Sequence, residues 1–260
     1  MTPDSHDRDG SSRKYALVTG ASSGIGRAIA VALSGAGFSV ILTARRREAL
    51  TETLSMIEPR EACVAAVPCD LAIDASLESL ATRVDEMTGN RLALLVNCAG
   101  TYHMGSFGET PRAALDQILR VNLRAPFVLS QLLLPSLRAA QGIIVFINST
   151  AGLGASAGVA AYGASKAALK AVADSIRDEF AAEDLRVVSI FPGRTDTPMG
   201  QEVFRLEGRE PQPELLVQPE DVAAAVITAV TMPLRAQVTD LQVSTGRCII
   251  PIATPPTNPL

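Results

Sequence analysis

Short runs of consecutive apolar, largely β-branched residues alternate along this chain with longer stretches rich in alanine and leucine. The runs are YALVTG (15–20), SVILTA (39–44), CVAAVP (63–68), RLALLVN (91–97), GIIVFIN (142–148), LRVVSIF (185–191) and QVTDLQV (237–243). Several are apolar at successive positions rather than at every second one, the pattern of strands covered on both faces. Between the first two, Ile25, Ile29 and Leu33 recur at i, i+4 and i+8 with Ala28 and Ala32 on the same face, which predicts a helix. Further helices are expected over about 47–58, 75–88, 111–139, 160–183 and 219–231. Thr110 reads as the N-cap of the long one, with Pro111 at its first position. Pro219 opens the last, with Glu220 and Asp221 suited to the positive end of its dipole.

Strand and helix in alternation imply parallel strands joined by crossover helices. The expected fold class is therefore α/β: a single doubly wound, Rossmann-type domain over 14–246, with a seven-stranded parallel sheet and helices on both faces. Two kinds of segment fall outside the alternation. The stretch 194–218 is a long connection with room for one short helix and reads as a substrate lid. Residues 1–13 are polar with mixed charge and no apolar centre, a disordered leader rather than a secretory signal, and the proline-rich end over 247–260 reads as extended.

Composition narrows the function. The 260 residues are 47% hydrophobic, enough to fill a core, and the net charge of −4 leaves basic residues clustered only at ARRR, Ala44–Arg47. Neither nucleic acid nor a membrane surface is an expected partner. The longest apolar stretch, Ala28–Ala44, is interrupted by Ser34, Gly35 and Gly37, so it reads as helix, turn and strand rather than a membrane span. Four cysteines (Cys63, Cys69, Cys98, Cys248) without a Cys-x-x-Cys pair, and two histidines (His6, His103), suit neither a zinc site nor a disulfide framework. Reduced thiols and a cytoplasmic location are expected.

The first strand runs into TGASSGIG, whose residues Gly20, Ser22, Ser23, Gly24, Ile25 and Gly26 occupy the turn into the first helix. Free amides at a helix N-terminus bind phosphate, and glycines let it approach the backbone; in this context the turn points to a dinucleotide. At the end of the second strand, an acidic residue would accept hydrogen bonds from the adenosine ribose and repel a 2′-phosphate. This chain has Ala44 and then Arg45, which favours NADP(H) over NAD(H), although neighbouring arginines can also simply face solvent. Asp70 in PCDLA is placed to receive an adenine amino group, or else serves as an ordinary turn aspartate.

A second feature is YGASK. With only three tyrosines and three lysines in the chain, Tyr162 and Lys166 fall four residues apart in a helix-favouring run, on one helix face. A free phenol has a pKa near 10. A neighbouring ammonium and an oxidised nicotinamide would stabilise the phenolate and bring that value down toward neutrality.

Together, TGASSGIG, NCAG (97–100), Asn122 in RVNLRAPF, Ser149 in INSTAG, YGASK and FPGRTDTPM resemble, in order and spacing, the short-chain dehydrogenase/reductase family over about residues 14–232. The resemblance implies a catalytic tetrad of Asn122, Ser149, Tyr162 and Lys166. In it Tyr162 protonates the growing alkoxide, Ser149 hydrogen bonds the same oxygen, Lys166 also holds the nicotinamide ribose, and Asn122 positions a water that relays protons to Lys166. Read from the residues alone, Ser149 is a turn serine and Asn122 a polar residue on a helix face. The resemblance adds cofactor contacts at Leu71, Asn97, Ala99 and Gly100, a bend over the nicotinamide at Pro192 and Gly193, and carboxamide contacts at Thr195 and Thr197. Cys98 stands where a second asparagine is common, and LQVSTGRCIIP replaces an acidic-Gly-Gly turn after the seventh strand.

The implied activity is hydride transfer between NADP(H) and a carbonyl or secondary alcohol. The rivals are an NAD-dependent alcohol dehydrogenase and a non-catalytic NADP(H)-binding redox sensor. Substrate contacts are expected from Ser149 and Tyr162 and from 101–108, 152–159 and 197–207. There Met104, Phe107, Leu153, Met199, Val203 and Phe204 form an apolar wall suited to an uncharged, bulky ketone or alcohol. FVLSQLLLPSL is apolar on more than one face, and the resemblance makes it an interface in a homodimer or homotetramer.

Overall fold

The computed structural model describes residues 13–59 and 62–246. The expected tail, and the leader apart from Arg13, lie outside the described residues. Seven strands are present: β1 (Lys14–Thr19), β2 (Phe38–Ala44), β3 (Cys63–Pro68), β4 (Leu94–Asn97), β5 (Ile143–Ile147), β6 (Arg186–Pro192) and β7 (Asp240–Val243). All neighbouring pairs are parallel, in the order β3-β2-β1-β4-β5-β6-β7. The helices between them are α1 (Gly24–Gly35), α2 (Arg47–Ser55), α3 (Asp74–Thr88), α4 (Arg112–Leu119), α5 (Ala125–Leu132), α6 (Leu134–Ala139), α7 (Ala160–Glu179), α8 (Pro198–Leu206) and α9 (Pro219–Val230). Among the described residues, no helix is long and apolar enough to cross a membrane.

The continuous apolar runs now have a physical reason. Successive strand residues point to opposite faces, and each face has its own core. Ala16, Val18, Leu94, Val96 and Val145 pack with Ile29 and Leu33 of α1 and Val222 and Val226 of α9. Leu17, Leu95, Ile144 and Phe146 pack with Leu77 of α3, Leu129 of α5 and Leu169 of α7. Every position of such a strand is covered, so none needs to be polar.

The region expected as one helix over 111–139 is divided. The N-cap is Pro111 rather than Thr110, and no side chain caps the helix; the Thr110 hydroxyl instead donates to the Ser106 carbonyl at 2.8 Å. A π-helical segment, Arg120–Arg124, separates α4 from α5. Pro126 in the first turn of α5 has no N–H, so the carbonyl of Asn122 cannot receive the usual donor four residues on. The π segment therefore coincides with a carbonyl that the helix itself cannot satisfy in the ordinary way. α9 starts as expected, with a Gln218–Asp221 capping box and Pro219 in its first turn.

The sheet winds outward from β1 to β3, then returns to place β4 on the other side of β1. Ligands of open α/β sheets bind in the crevice at such a reversal, beyond the carboxyl ends of the strands. Here the two strand ends are tied by one side chain. Buried Thr19 donates through Oγ1 to the Val96 carbonyl at 3.3 Å and accepts from the Cys98 and Ala99 amides at 2.9 and 3.0 Å. The hydroxyl's full hydrogen-bonding capacity is thereby used. Thr19→Val keeps the shape and strands two amides without their acceptor. The expected loss is about 2–5 kcal/mol of unfolding free energy, at 1–3 kcal/mol per orphaned group, read by urea denaturation. A loss under about 0.5 kcal/mol would show that the two strand ends are held in some other way.

Candidate active site

The crevice is a cleft of about 320 Å³ that begins at the glycine-rich turn. Gly20 and Gly24 have φ of +68° and +50°, the left-handed region in which only glycine is unstrained. At Gly26 a Cβ would lie 2.3 Å from the Gly20 carbonyl oxygen, so the turn closes on itself without room for a side chain. Ser23 caps α1 without a side-chain hydrogen bond, and the first turn holds no acid. The leading amides of α1 thus keep their donors for a ligand, reinforced by the helix dipole. Arg27, which the motif alone did not single out, pins this turn: it donates to the Ser22 carbonyl at 2.6 Å, to Thr53 Oγ1 at 3.1 Å and to Glu52 at 3.0 Å.

From the turn the cleft runs past Ala44, Arg45 and Arg46, then Asp70 and Leu71, to Ala99 and Gly100. Arg45 is exposed at the rim. Asp70 serves as a turn aspartate, its Oδ1 accepting from the Ala72 amide at 3.0 Å, and the residue also lines the cleft. Away from the turn it is lined by Tyr162, Lys166 and Asn148.

Tyr162 and Lys166 project from one face of α7, as their spacing requires, with Nζ 5.9 Å from the phenol ring centroid. Lys166 is 4% exposed and donates to the Ile147 carbonyl at 2.8 Å. Burial disfavours its charged form and lowers its pKa to about 8; nearby Cys98 acts weakly the other way. The same enclosure pushes the Cys98 thiol up to about 12, so it is no ready nucleophile. Ser149 Oγ accepts from the Ala151 amide at 3.1 Å, which orients the hydroxyl, and it is near enough to Tyr162 to influence its phenol.

The fall in the Tyr162 pKa is expected with an oxidised nicotinamide beside it, and the cofactor-free protein starts from the other side. There the Tyr162 pKa is raised: burial dominates, and the Ser149 hydrogen bond only partly offsets it.

Asn122 sits in the π segment, 1% exposed, with its side chain committed. Its Oδ1 accepts from the Thr101 amide at 2.8 Å, and its Nδ2 donates to the Thr101 carbonyl at 2.9 Å and to Ser165 Oγ at 3.2 Å. It fixes the loop after β4 against α7, with both amide hydrogens used.

Other expected positions lie away from the cleft. Asn97 donates to Ser130 Oγ of α5 at 3.2 Å. Pro192 and Gly193 sit at the end of β6, where the Gly193 amide donates to the Val243 carbonyl at 2.8 Å. Thr195 is buried and donates to the Gly193 carbonyl. Thr197 alone of the β6 loop threonines lines the cleft; it caps α8 by accepting from the Gly200 amide, and its methyl lies against Gly24.

Beside this cleft, and sharing Gly100, Thr101 and Met199 with it, opens a second chamber of about 390 Å³. Its walls are Gly100–Met104 on one side and Met199, Glu202 and Leu206 of α8 on the other. The expected apolar wall is only partly realised. Met104 and Met199 line the chamber, but Phe107 is 87% exposed, and Leu153, also exposed, lines neither space. Phe204 turns inward and packs under Arg194 and Arg209, with guanidinium-to-centroid distances of 5.0 and 5.8 Å. Arg194 also grips Glu207 through two hydrogen bonds, of 2.8 and 2.5 Å, fixing the far end of α8 to the end of β6. Tyr102 falls within the expected 101–108 segment but was not singled out in it. Its ring meets that of Tyr162 edge to face, with centroids 4.9 Å apart.

The sequence matches the family model described as short chain dehydrogenase over residues 14–208. It is 32% identical over 242 residues to an uncharacterized short-chain type dehydrogenase/reductase of Sinorhizobium fredii, covering 91% of this chain and 93% of the relative. It is 31% identical to an uncharacterized oxidoreductase of Staphylococcus epidermidis, covering 88% and 96%. Among solved structures, it is similar to a metagenomic short-chain oxidoreductase in complex with NADP (30% identity, TM-score 0.77, 90% of this chain and 98% of the other). It is also similar to a variant of actinorhodin polyketide ketoreductase with NADPH (29% identity, TM-score 0.82, 93% and 98%). Since the matched region runs from β1 through α8 and holds the glycine-rich turn, Ser149, Tyr162 and Lys166 together, the chain belongs to the short-chain dehydrogenase/reductase family of oxidoreductases.

Proposed function

We propose that the protein transfers hydride between NADP(H) and a carbonyl or secondary alcohol substrate, with Tyr162 as the acid and base. The observation that carries this reading is the nearness of Ser149 to Tyr162, which with the buried Lys166 lines the same cleft as an uncapped helix N-terminus. The residues fit the coenzyme. A turn with no room for a side chain at Gly26 brings phosphate to the amides of α1, and Arg45 at the rim offers a guanidinium to a 2′-phosphate. NADP-bearing relatives agree with that preference. When bound, NADP(H) supplies or accepts the hydride.

In the reduction direction, the Tyr162 phenol donates its proton to the oxygen that becomes alkoxide, and Ser149 donates a hydrogen bond to the same atom. Burial keeps the phenol protonated before the reaction. Lys166, with its pKa near 8, is poised to pass a proton to the emptied phenolate. The main-chain carbonyl of Asn122, which Pro126 leaves without the usual donor, is suited to hold a relaying water.

Tyr162→Phe is expected to lower kcat for ketone reduction by about 10³-fold while NADPH affinity, read by fluorescence titration, stays within about threefold. Full activity in that variant would remove Tyr162 from the chemistry; a protein that binds NADPH yet turns over no ketone or secondary alcohol would be a sensor. Arg45→Ala should raise KM for NADPH about tenfold or more and leave KM for NADH unchanged. A native preference for NADH would overturn the role given to Arg45.

Lys166 adds a pH signature to the cofactor-free protein. Its folded pKa lies below the free value of 10.5, so between about 8 and 10.5 the unfolded chain binds more protons and stability from this position rises with pH. Wild type should therefore gain unfolding free energy relative to Lys166→Met between pH 7.5 and 10. A difference that stays constant across that range would mean the ammonium is not desolvated.

A further inference from the structure

Resting on the proposed hydride-transfer reading, we infer that Tyr102 is a specificity-determining residue whose hydroxyl donates a hydrogen bond to a second, neutral acceptor on the substrate. The favoured class is then a ketone carrying a further keto, ester, amide or ether oxygen a few bonds from the reacting carbon.

Position comes first. Tyr102 lines the substrate chamber, and its ring lies against the ring of Tyr162 at 4.9 Å with the planes at 66°. Anything whose carbonyl oxygen reaches Tyr162 and Ser149 therefore lies beside Tyr102. A phenylalanine would make the same edge-to-face contact, so packing alone does not account for a hydroxyl here.

The polar groups around Tyr102 are already committed. Arg194 and Glu207, which influence its phenol electrostatically, hold each other through two hydrogen bonds. Glu202, the acid of the chamber wall, is held by Arg205 through another two. The Thr101 amide and carbonyl both belong to Asn122. The Tyr102 hydroxyl has no hydrogen-bond partner among the described residues, and it is not sealed from the chamber. A donor in this position left unmatched by the ligand costs binding, whereas an acceptor placed opposite it is rewarded.

The direction of the bond follows from the surroundings. Burial and the nearby carboxylate of Glu207 push the Tyr102 phenol up to about 12, so it stays protonated across the working range and can donate. No lysine or arginine is among the described residues that line the chamber, and the arginines beside Glu202 and Glu207 are already paired with them, so a neutral oxygen is a better match than a free carboxylate.

The test compares two ketones of similar length, ethyl 3-oxobutanoate and heptan-2-one, with NADPH. In wild type, kcat/KM is expected to favour the keto ester by about tenfold or more beyond the ratio of their intrinsic reactivities toward borohydride. In Tyr102→Phe that excess should fall to within about twofold; being a ratio, it is insensitive to the active fraction of each preparation. An excess that persists in Tyr102→Phe, or is missing in wild type, overturns the inference while leaving hydride transfer intact. Equilibrium binding of the two compounds to the NADP⁺-loaded protein gives a readout that needs no turnover. A tenfold keto-ester preference that depends on Tyr102, seen without any reduction, would support the inference and refute the proposed activity; equal binding of both compounds would overturn the inference by itself.

Discussion

A lysine ammonium held out of water beneath a phenol is the constraint on which this site depends. Desolvating a charge is costly, and a buried cation persists only where a well-placed acceptor offsets the loss of water. For Lys166 that acceptor is the Ile147 carbonyl at the end of β5. The contact exists only if α7 is docked closely on the end of that strand. Gly152 permits the approach: a Cβ there would lie 2.9 Å from the Lys166 carbonyl carbon. The turn carrying Ser149 and the helix carrying Tyr162 are thus brought together by the same packing that buries Lys166.

A second level of organisation is set by the reversal of strand order. Thr19 locks the ends of β1 and β4 together, and Asn122 locks the loop after β4 to α7. One chain of hydrogen bonds therefore runs from the glycine-rich strand end to the catalytic helix, across the crevice where the coenzyme is proposed to lie. The two spaces meet at Gly100, Thr101 and Met199, which line both. The excursion after β6, expected as a lid, carries α8. Thr197 caps α8 at one end, and the Arg194–Glu207 pair fastens the other.

Much of this was legible from the chain itself. Runs of apolar residues at every position can be accommodated only by strands covered on both faces, which led to the parallel sheet. A glycine turn between strand and helix, and a Tyr and Lys four apart on a helix, are local patterns whose geometry follows from backbone periodicity. Each depends on neighbours in sequence, and each is present as read. Asp70, Ala99 and Thr197 lie in the cleft for the same reason: they sit at or just past strand ends, and strand ends form the crevice.

What the sequence could not decide depended on contacts between distant segments. Whether a polar side chain faces ligand or protein is set by which partner reaches it first, so Asn97 turned to Ser130 and Asn122 to Thr101. The break in the long helix, though marked by Pro126, took its form from the π segment. The direction of the Tyr162 shift in the cofactor-free protein depends on a balance of burial and hydrogen bonding that spacing does not reveal. Phe204 was drawn inward by two arginines, whereas Tyr102, carried by a loop with no periodic signal, was set against the catalytic ring. Local pattern therefore determined the strands, the glycine-rich turn and the placing of Tyr162 beside Lys166, because backbone geometry alone fixes them. Only tertiary packing determined charge state, side-chain commitment and the substrate wall, because these are properties of surroundings assembled from residues far apart in the chain.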